Sequence, residues 1–140
     1  MKIYAVIDTN VVVSAMLKYV SVPGSILEFA FNGLITPLLN DAIVNEYRSV
    51  LSRAKFHLTD EIVNNVIEAL EEQGEYVDAE KLDILFADPK DVVFYEVTMA
   101  KRKEAPAYLV TGNTKHFPVE PYVVTPREML DLILQLSQEK

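Results

Sequence analysis

The feature that most constrains this chain is its opening segment, where Lys2 to Ile7 forms a short, apolar run rich in β-branched residues that ends on Asp8. A run of that length without polar alternation reads as a strand covered on both faces, the strand type of a parallel sheet. Such a strand needs helices to cover it, and the rest of the chain supplies them in alternation with further strands. Val11 to Leu17 stays apolar without alternation and predicts a short helix. Ser21-Val22-Pro23-Gly24-Ser25 breaks the chain, and Ile26 to Asn32 predicts a second helix stopped by Gly33. Leu34 to Leu39 reads as a strand, with Pro37 pointing to an edge or a strand end.

From Asp41 onward the spacing becomes helical: Ile43, Val44, Tyr47, Val50 and Leu51 fall on one face, and Glu46 lies about 40° to one side of it. Thr59-Asp60-Glu61 starts another helix with Ile62, Val63, Val66, Ile67 and Leu70 inward, ending at Gly74. Tyr76-Val77 is a short strand candidate. Leu82 to Phe86 leads into Asp88-Pro89-Lys90-Asp91, a helix start, with the helix running to about Lys103. Ala107 to Thr111 and Tyr122 to Val124 are strands, and Thr125-Pro126-Arg127-Glu128 is a capping box opening a last amphipathic helix that ends the chain. Strands alternating with helices indicate an α/β sandwich around a mainly parallel sheet, whose sites form at the carboxyl ends of strands. Asp8 and Thr111-Gly112-Asn113 fall there.

The chain has 140 residues, half of them hydrophobic, and no linker-like or repetitive stretch, so a single domain over residues 1–140 is expected. No apolar run reaches bilayer length and a charge interrupts the first segment early, which predicts a soluble, cytoplasmic protein with no membrane contact. Absence of cysteine excludes disulfides and thiolate metal sites, leaving oxygen or imidazole ligands. The net charge of −8 has the wrong sign for a protein that grips nucleic acid over its whole surface, but suits carboxylates gathered around a divalent cation, or a basic partner.

Three acids carry the chemical reading, each with a structural alternative. Asp8, directly after a buried strand, is a metal ligand or, with Thr9, the cap of the next helix. Glu46 holds a carboxylate at the core margin, where a bound cation compensates its charge, or simply faces water. Asp91 is a ligand or the acid of a capping box behind Asp88. Hard divalent ions take oxygen ligands and activate water against a phosphodiester, so no side-chain nucleophile is required.

These residues also carry a resemblance. Ile3-Tyr4-Ala5-Val6-Ile7-Asp8-Thr9-Asn10 resembles the opening of a PIN domain, Asn40 to Tyr47 the helix bearing that family's glutamate, here Glu46, and Asp88 to Phe94 its third acidic motif, here Asp91. Tyr108-Leu109-Val110-Thr111-Gly112-Asn113 resembles the strand with the fourth motif, and Val124-Thr125-Pro126 also fits. The resemblance implies a three-layer α/β/α sandwich and a Mg²⁺- or Mn²⁺-dependent endoribonuclease with Asp8, Glu46 and Asp91 on the metal and Thr111 and Asn113 completing the site. For many small bacterial members it also implies a toxin role neutralised by an antitoxin protein. The family often carries Asp where this chain has Asn113, a neutral oxygen that weakens the expectation of two metals. Asp88 and Glu96 are the alternatives to Asp91.

Asn10 and Lys115 are read as substrate contacts, Lys115 being preferred among the basic residues available to phosphate: Arg48, Arg53, Lys55, Lys101, Arg102, Lys103, Lys115 and Arg127. His116 sits in a loop beside Phe117 and His57 has no partner at ligand spacing, so neither is assigned to metal. Val12, Met16, Phe29 and Phe31 serve either the core or a partner or homo-oligomer surface. The competing function is a catalytically silent module of the same fold that binds a protein partner or RNA. An aspartyl-phosphate receiver is disfavoured because the first strand ends in one acid rather than an acidic pair.

Overall fold

Five strands pair in the order β3-β2-β1-β4-β5, every neighbouring pair parallel: β1 (Ile3–Ile7), β2 (Ile35–Leu39), β3 (Glu75–Tyr76), β4 (Ala107–Val110) and β5 (Val123–Val124). The structure is a computed structural model, and it describes residues 2–86 and 88–138. Six helices connect and flank the strands: α1 (Thr9–Leu17), α2 (Val22–Phe31), α3 (Asp41–Leu51), α4 (Asp60–Gln73), α5 (Val92–Arg102) and α6 (Pro126–Gln138). The last helix was expected to reach the chain end, and Glu139 and Lys140 lie outside the described residues.

The topology sets where the layers lie. The chain steps outward from β1 to β2 to β3, then returns across them to β4. Right-handed crossovers place the helices of the outward run on one face and α5, the return crossover, on the other. Packing agrees, since α2 rests on β2, α4 and α6, whereas α5 rests on β1, β2 and β4. The core between these layers contains Val6, Ile7, Leu38, Leu39 and Leu109, with Ile26 and Leu27 from α2 and Phe94 and Val97 from α5. The two central strands thus carry the continuous apolar run that the sequence shows.

Several local expectations change. Pro37 is on an inner strand, not an edge. Val77 N–H donates to Leu39 O at 2.8 Å, so the odd-numbered residues of β2 direct their backbone polar groups toward β3. β3 begins opposite Leu38, which leaves no strand partner waiting for the donor that Pro37 lacks. The segment read as a break at residues 21–25 instead starts α2: Ser21 Oγ accepts from Gly24 N–H at 3.1 Å and Pro23 sits in the first turn. Ile62, expected inward, lies in the first turn of α4 and is 39% exposed. Val12 is buried, and Met16, Phe29 and Phe31 are partly buried and pack against the core. The capping box of α6 is present, with Glu128 N–H donating to Thr125 Oγ1 at 3.1 Å and Thr125 N–H to Glu128 Oε1 at 2.9 Å. Among the described residues no single helix is long and apolar enough to cross a membrane.

Tyr47 joins helix α3 to the end of β1. Its buried hydroxyl donates to the carbonyl of Ile7, and its ring lies 6.5 Å from that of Phe94 on α5. Tyr47→Phe strands a buried carbonyl, and should cost about 1–3 kcal/mol in urea unfolding. Unchanged stability would show that this link does not hold α3 against the sheet.

Candidate active site

The strand order reverses between the neighbours β1 and β4, since β2 follows β1 on one side and β5 follows β4 on the other, and the crevice beyond their carboxyl ends is where an open α/β sheet offers a site. Asp8 directly follows β1 and Thr111 directly follows β4. A cleft of about 420 Å³ opens there, lined by the carboxylates of Asp8, Glu46, Asp88 and Asp91 together with Thr9, Asn10, Arg53, Lys90, Asn113 and His116. Asp8 is set by β1, Glu46 by α3, and Asp88 and Asp91 by the turn entering α5, so three separate segments bring the acids together.

Asp8 stands at the N-cap position of α1 but its side chain makes no capping hydrogen bond. The carboxylate instead accepts from Thr111 Oγ1 through Oδ2 at 2.7 Å, and it is only 6% exposed. Burial pushes its pKa up to about 6, the nearby Asp91 charge adds to the rise, and the Thr111 hydroxyl opposes it. Asp91 likewise makes no cap bond to α5. Asp88 takes the capping role, its Oδ1 accepting from Lys90 N–H at 3.0 Å. The pKa of Asp91 is raised by burial and by the charges of Asp88 and Glu46, against the lowering effect of His116. His116 Nδ1 lies 3.3 Å from Asp91 Oδ2. Both acids for which a capping role was an alternative are therefore free of that role and face one cleft.

The remaining residues separate. Thr111 is fully buried, so it positions Asp8 and touches nothing from outside; its Oγ1 also accepts from Asn113 N–H at 3.0 Å. Asn10 and Asn113 line the cleft, and Asn10 Oδ1 accepts from Gly112 N–H at 3.2 Å. Lys115 lies along a different depression with Thr114, Pro118 and Glu120. The cause is the 3-10 turn Thr114–His116, in which consecutive side chains diverge by a third of a turn, so that the turn sends His116 to the acids and Lys115 away. Glu96 also lies elsewhere, its Oε2 accepting from Leu82 N–H at 2.6 Å.

Sequence reasoning left His116 and Lys90 aside. The signal for His116 was its distance of one 3-10 turn from Asn113; the signal for Lys90 was its place between Asp88 and Asp91. Several basic residues considered for phosphate are engaged within the fold. Lys101 is buried and binds Glu75 at 2.5 Å and Glu104 at 3.1 Å; Arg102 donates to Ala107 O at 2.7 Å, and Arg48 donates to Asn64.

The donor set is hard oxygen, as Mg²⁺ or Mn²⁺ requires. Among the described residues Thr9 Oγ1, a buried atom of a residue in the cleft wall, has no hydrogen-bond partner. Among the described residues no three carboxylate or imidazole groups close on one point as a ready ligand cage. Mg²⁺ keeps several waters and uses one or two carboxylates, so the residues fit a hydrated ion rather than a protein-only cage.

The raised pKa has a stability consequence. Above about pH 6 the folded protein carries an Asp8 charge that ionises more easily in the unfolded chain; as pH falls through 6 the folded state takes up the proton first, and below about 4 both states hold it. The destabilisation is thus present at high pH and vanishes at low pH. In EDTA, Asp8→Asn should be more stable than wild type at pH 8, by at most about 3 kcal/mol. The gain should disappear at pH 4 in paired urea titrations. An equal gain at both pH values would show that the Asp8 carboxylate is not held out of water.

No curated protein matches the chain. A family model described as PIN domain matches residues 4–115, which spans all the acids of the cleft and Asn113. PIN domains are in general nucleases and typically use divalent metal ions. With a match over most of its length and an all-parallel five-stranded sheet carrying acids at its switch point, the chain belongs to the PIN-domain family.

Proposed function

We propose that the protein is a divalent-metal-dependent endoribonuclease that hydrolyses RNA phosphodiester bonds, with Asp8, Glu46 and Asp91 holding Mg²⁺ or Mn²⁺. The observation that carries this reading is the Asp8 carboxylate: buried, excused from capping, and lining one cleft with Asp91 and Glu46. A bound divalent ion supplies an activated water and polarises a phosphodiester oxygen. The protein's part is positional. Thr111 fixes one oxygen of Asp8, and His116 lies against Asp91. Asn113 offers an amide without charge, which favours one ion over two. Since Asp8 must be ionised to hold a cation, metal affinity weakens as pH falls through about 6.

The role of toxin in a toxin–antitoxin pair belongs to the same proposal, and the net charge of −8 suits a basic antitoxin segment. A cytoplasmic site of action follows from it. Self-association stays part of the proposal without a surface assigned to it.

The test is cleavage of a mixed single-stranded RNA pool by wild type and Asp8→Asn with Mn²⁺, with Mg²⁺ and with EDTA. Wild type should cut only with metal, Asp8→Asn at least about 100-fold more slowly, and Thr111→Val about 10- to 100-fold more slowly because Asp8 loses its orienting hydroxyl. Cleavage that persists in EDTA, or that Asp8→Asn leaves intact, overturns the assignment. Metal binding without any cleavage would leave a silent module that binds RNA or protein.

A further inference from the structure

We propose that Phe56 is a stacking platform for an unpaired nucleobase of single-stranded RNA beside the acidic cleft, with Arg53 and Lys90 holding the adjoining phosphates. The proposal rests on the nuclease reading for the identity of the strand. Of the six phenylalanines, Phe29, Phe31, Phe86, Phe94 and Phe117 belong to the core or pack against it, whereas Phe56 does neither. It lines the cleft instead, next to the apolar side chains of Val13 and Val50. An aromatic ring that the fold only half buries, placed on the wall of an acid-lined cleft, keeps apolar surface in water that a ligand can cover.

The surroundings identify the occupant. Phe56 closes the 3-10 turn Ala54–Phe56 just beyond α3, within Arg53-Ala54-Lys55-Phe56-His57, a basic and aromatic stretch in a chain of net charge −8. The turn has a fixed form: Phe56 N–H donates to Arg53 O and His57 N–H to Ala54 O, each at 3.1 Å. Lys55 Nζ lies 5.1 Å from the Phe56 ring centroid. Arg53 and Lys90 line the same cleft as four carboxylates, yet among the described residues neither forms an ion pair or a side-chain hydrogen bond. Two cations left over beside acids, and an aromatic ring left over by the core, make a surface for a ligand that is anionic along its backbone and flat and apolar on its bases. Single-stranded nucleic acid meets both demands, because every base has an exposed π-face and each linkage a charge. Bases inside a duplex have their faces covered by neighbours, so the platform selects strands or loops with an unstacked base.

The chain has no tryptophan, so Phe56→Trp places a single indole reporter at the platform. In the Asp8→Asn background with EDTA, this variant is titrated with single-stranded RNA of about ten nucleotides, with the same strand made abasic, and with duplex RNA. The intact strand should quench the indole, while the abasic strand and the duplex should not. By anisotropy of a labelled strand, Phe56→Leu should weaken binding about 10-fold, Phe56→Tyr should restore it, and Arg53→Gln should weaken intact and abasic strands alike and flatten the salt dependence. Equal quenching by the abasic strand, or wild-type affinity in Phe56→Leu, overturns the platform. Quenching in a protein that never cleaves RNA removes the nuclease reading and keeps the platform; metal-dependent cleavage with an unquenched indole does the reverse.

Discussion

The buried carboxylate of Asp8 is the constraint on which the rest of the site depends. A charge at the end of a central strand is unfavourable where the backbone cannot move to expose it, and this chain meets that cost with neutral donors, foremost the Thr111 hydroxyl just beyond the adjacent strand. The bond spans the junction of β1 and β4, so it joins the chain's first motif to one about a hundred residues later. It also orients Asp8 away from the helix it precedes. A stronger partner, such as an arginine, would neutralise the acid and leave no reason for a cation to bind.

The other elements serve that geometry. Helix α3 brings Glu46 to the cleft because Tyr47, its immediate neighbour, is anchored on the carbonyl of Ile7, the residue before Asp8. Helix α5 brings Asp91 because Asp88 takes over the capping work three residues earlier. In each case a residue within one turn of the acid is engaged by the fold, and the acid is left for the cleft. Division of labour between neighbours explains why these acids are raised in pKa: burial and the charges of nearby acids act on Asp8 and Asp91, and the imidazole of His116 lies beside Asp91.

Periodicity made much of this legible before the structure. The strand to Asp8, the inward stripe around Tyr47 and the capping box at Thr125 follow from local rules that burial and hydrogen bonding obey. Pro37 misled because an edge is not the only place without a waiting acceptor; a neighbouring strand that starts one residue late serves as well. Residues 21–25 misled because Ser and Pro were read as a stop when Ser before Pro in the first turn is a start. The acids were legible as a group but their company was not. Which of Lys115 and His116 meets Asp91 is decided by one 3-10 turn, and Phe56 shows only by its absence from a core that no spacing rule outlines.

Charge bears on how many ions the cleft would take. Four carboxylates against the side chains of Arg53 and Lys90 leave this part of the lining two charges short of neutral above the pKa of Asp8. One divalent ion makes up that difference. A second would leave the lining positive by as much as it was negative, and a fourth family acid at the place of Asn113 would have offset only half of that excess. The neutral amide therefore matches a cleft that already contains two cations: on the proposed function, phosphate would meet one metal ion together with Arg53 and Lys90, where a more acidic site would depend on metal alone.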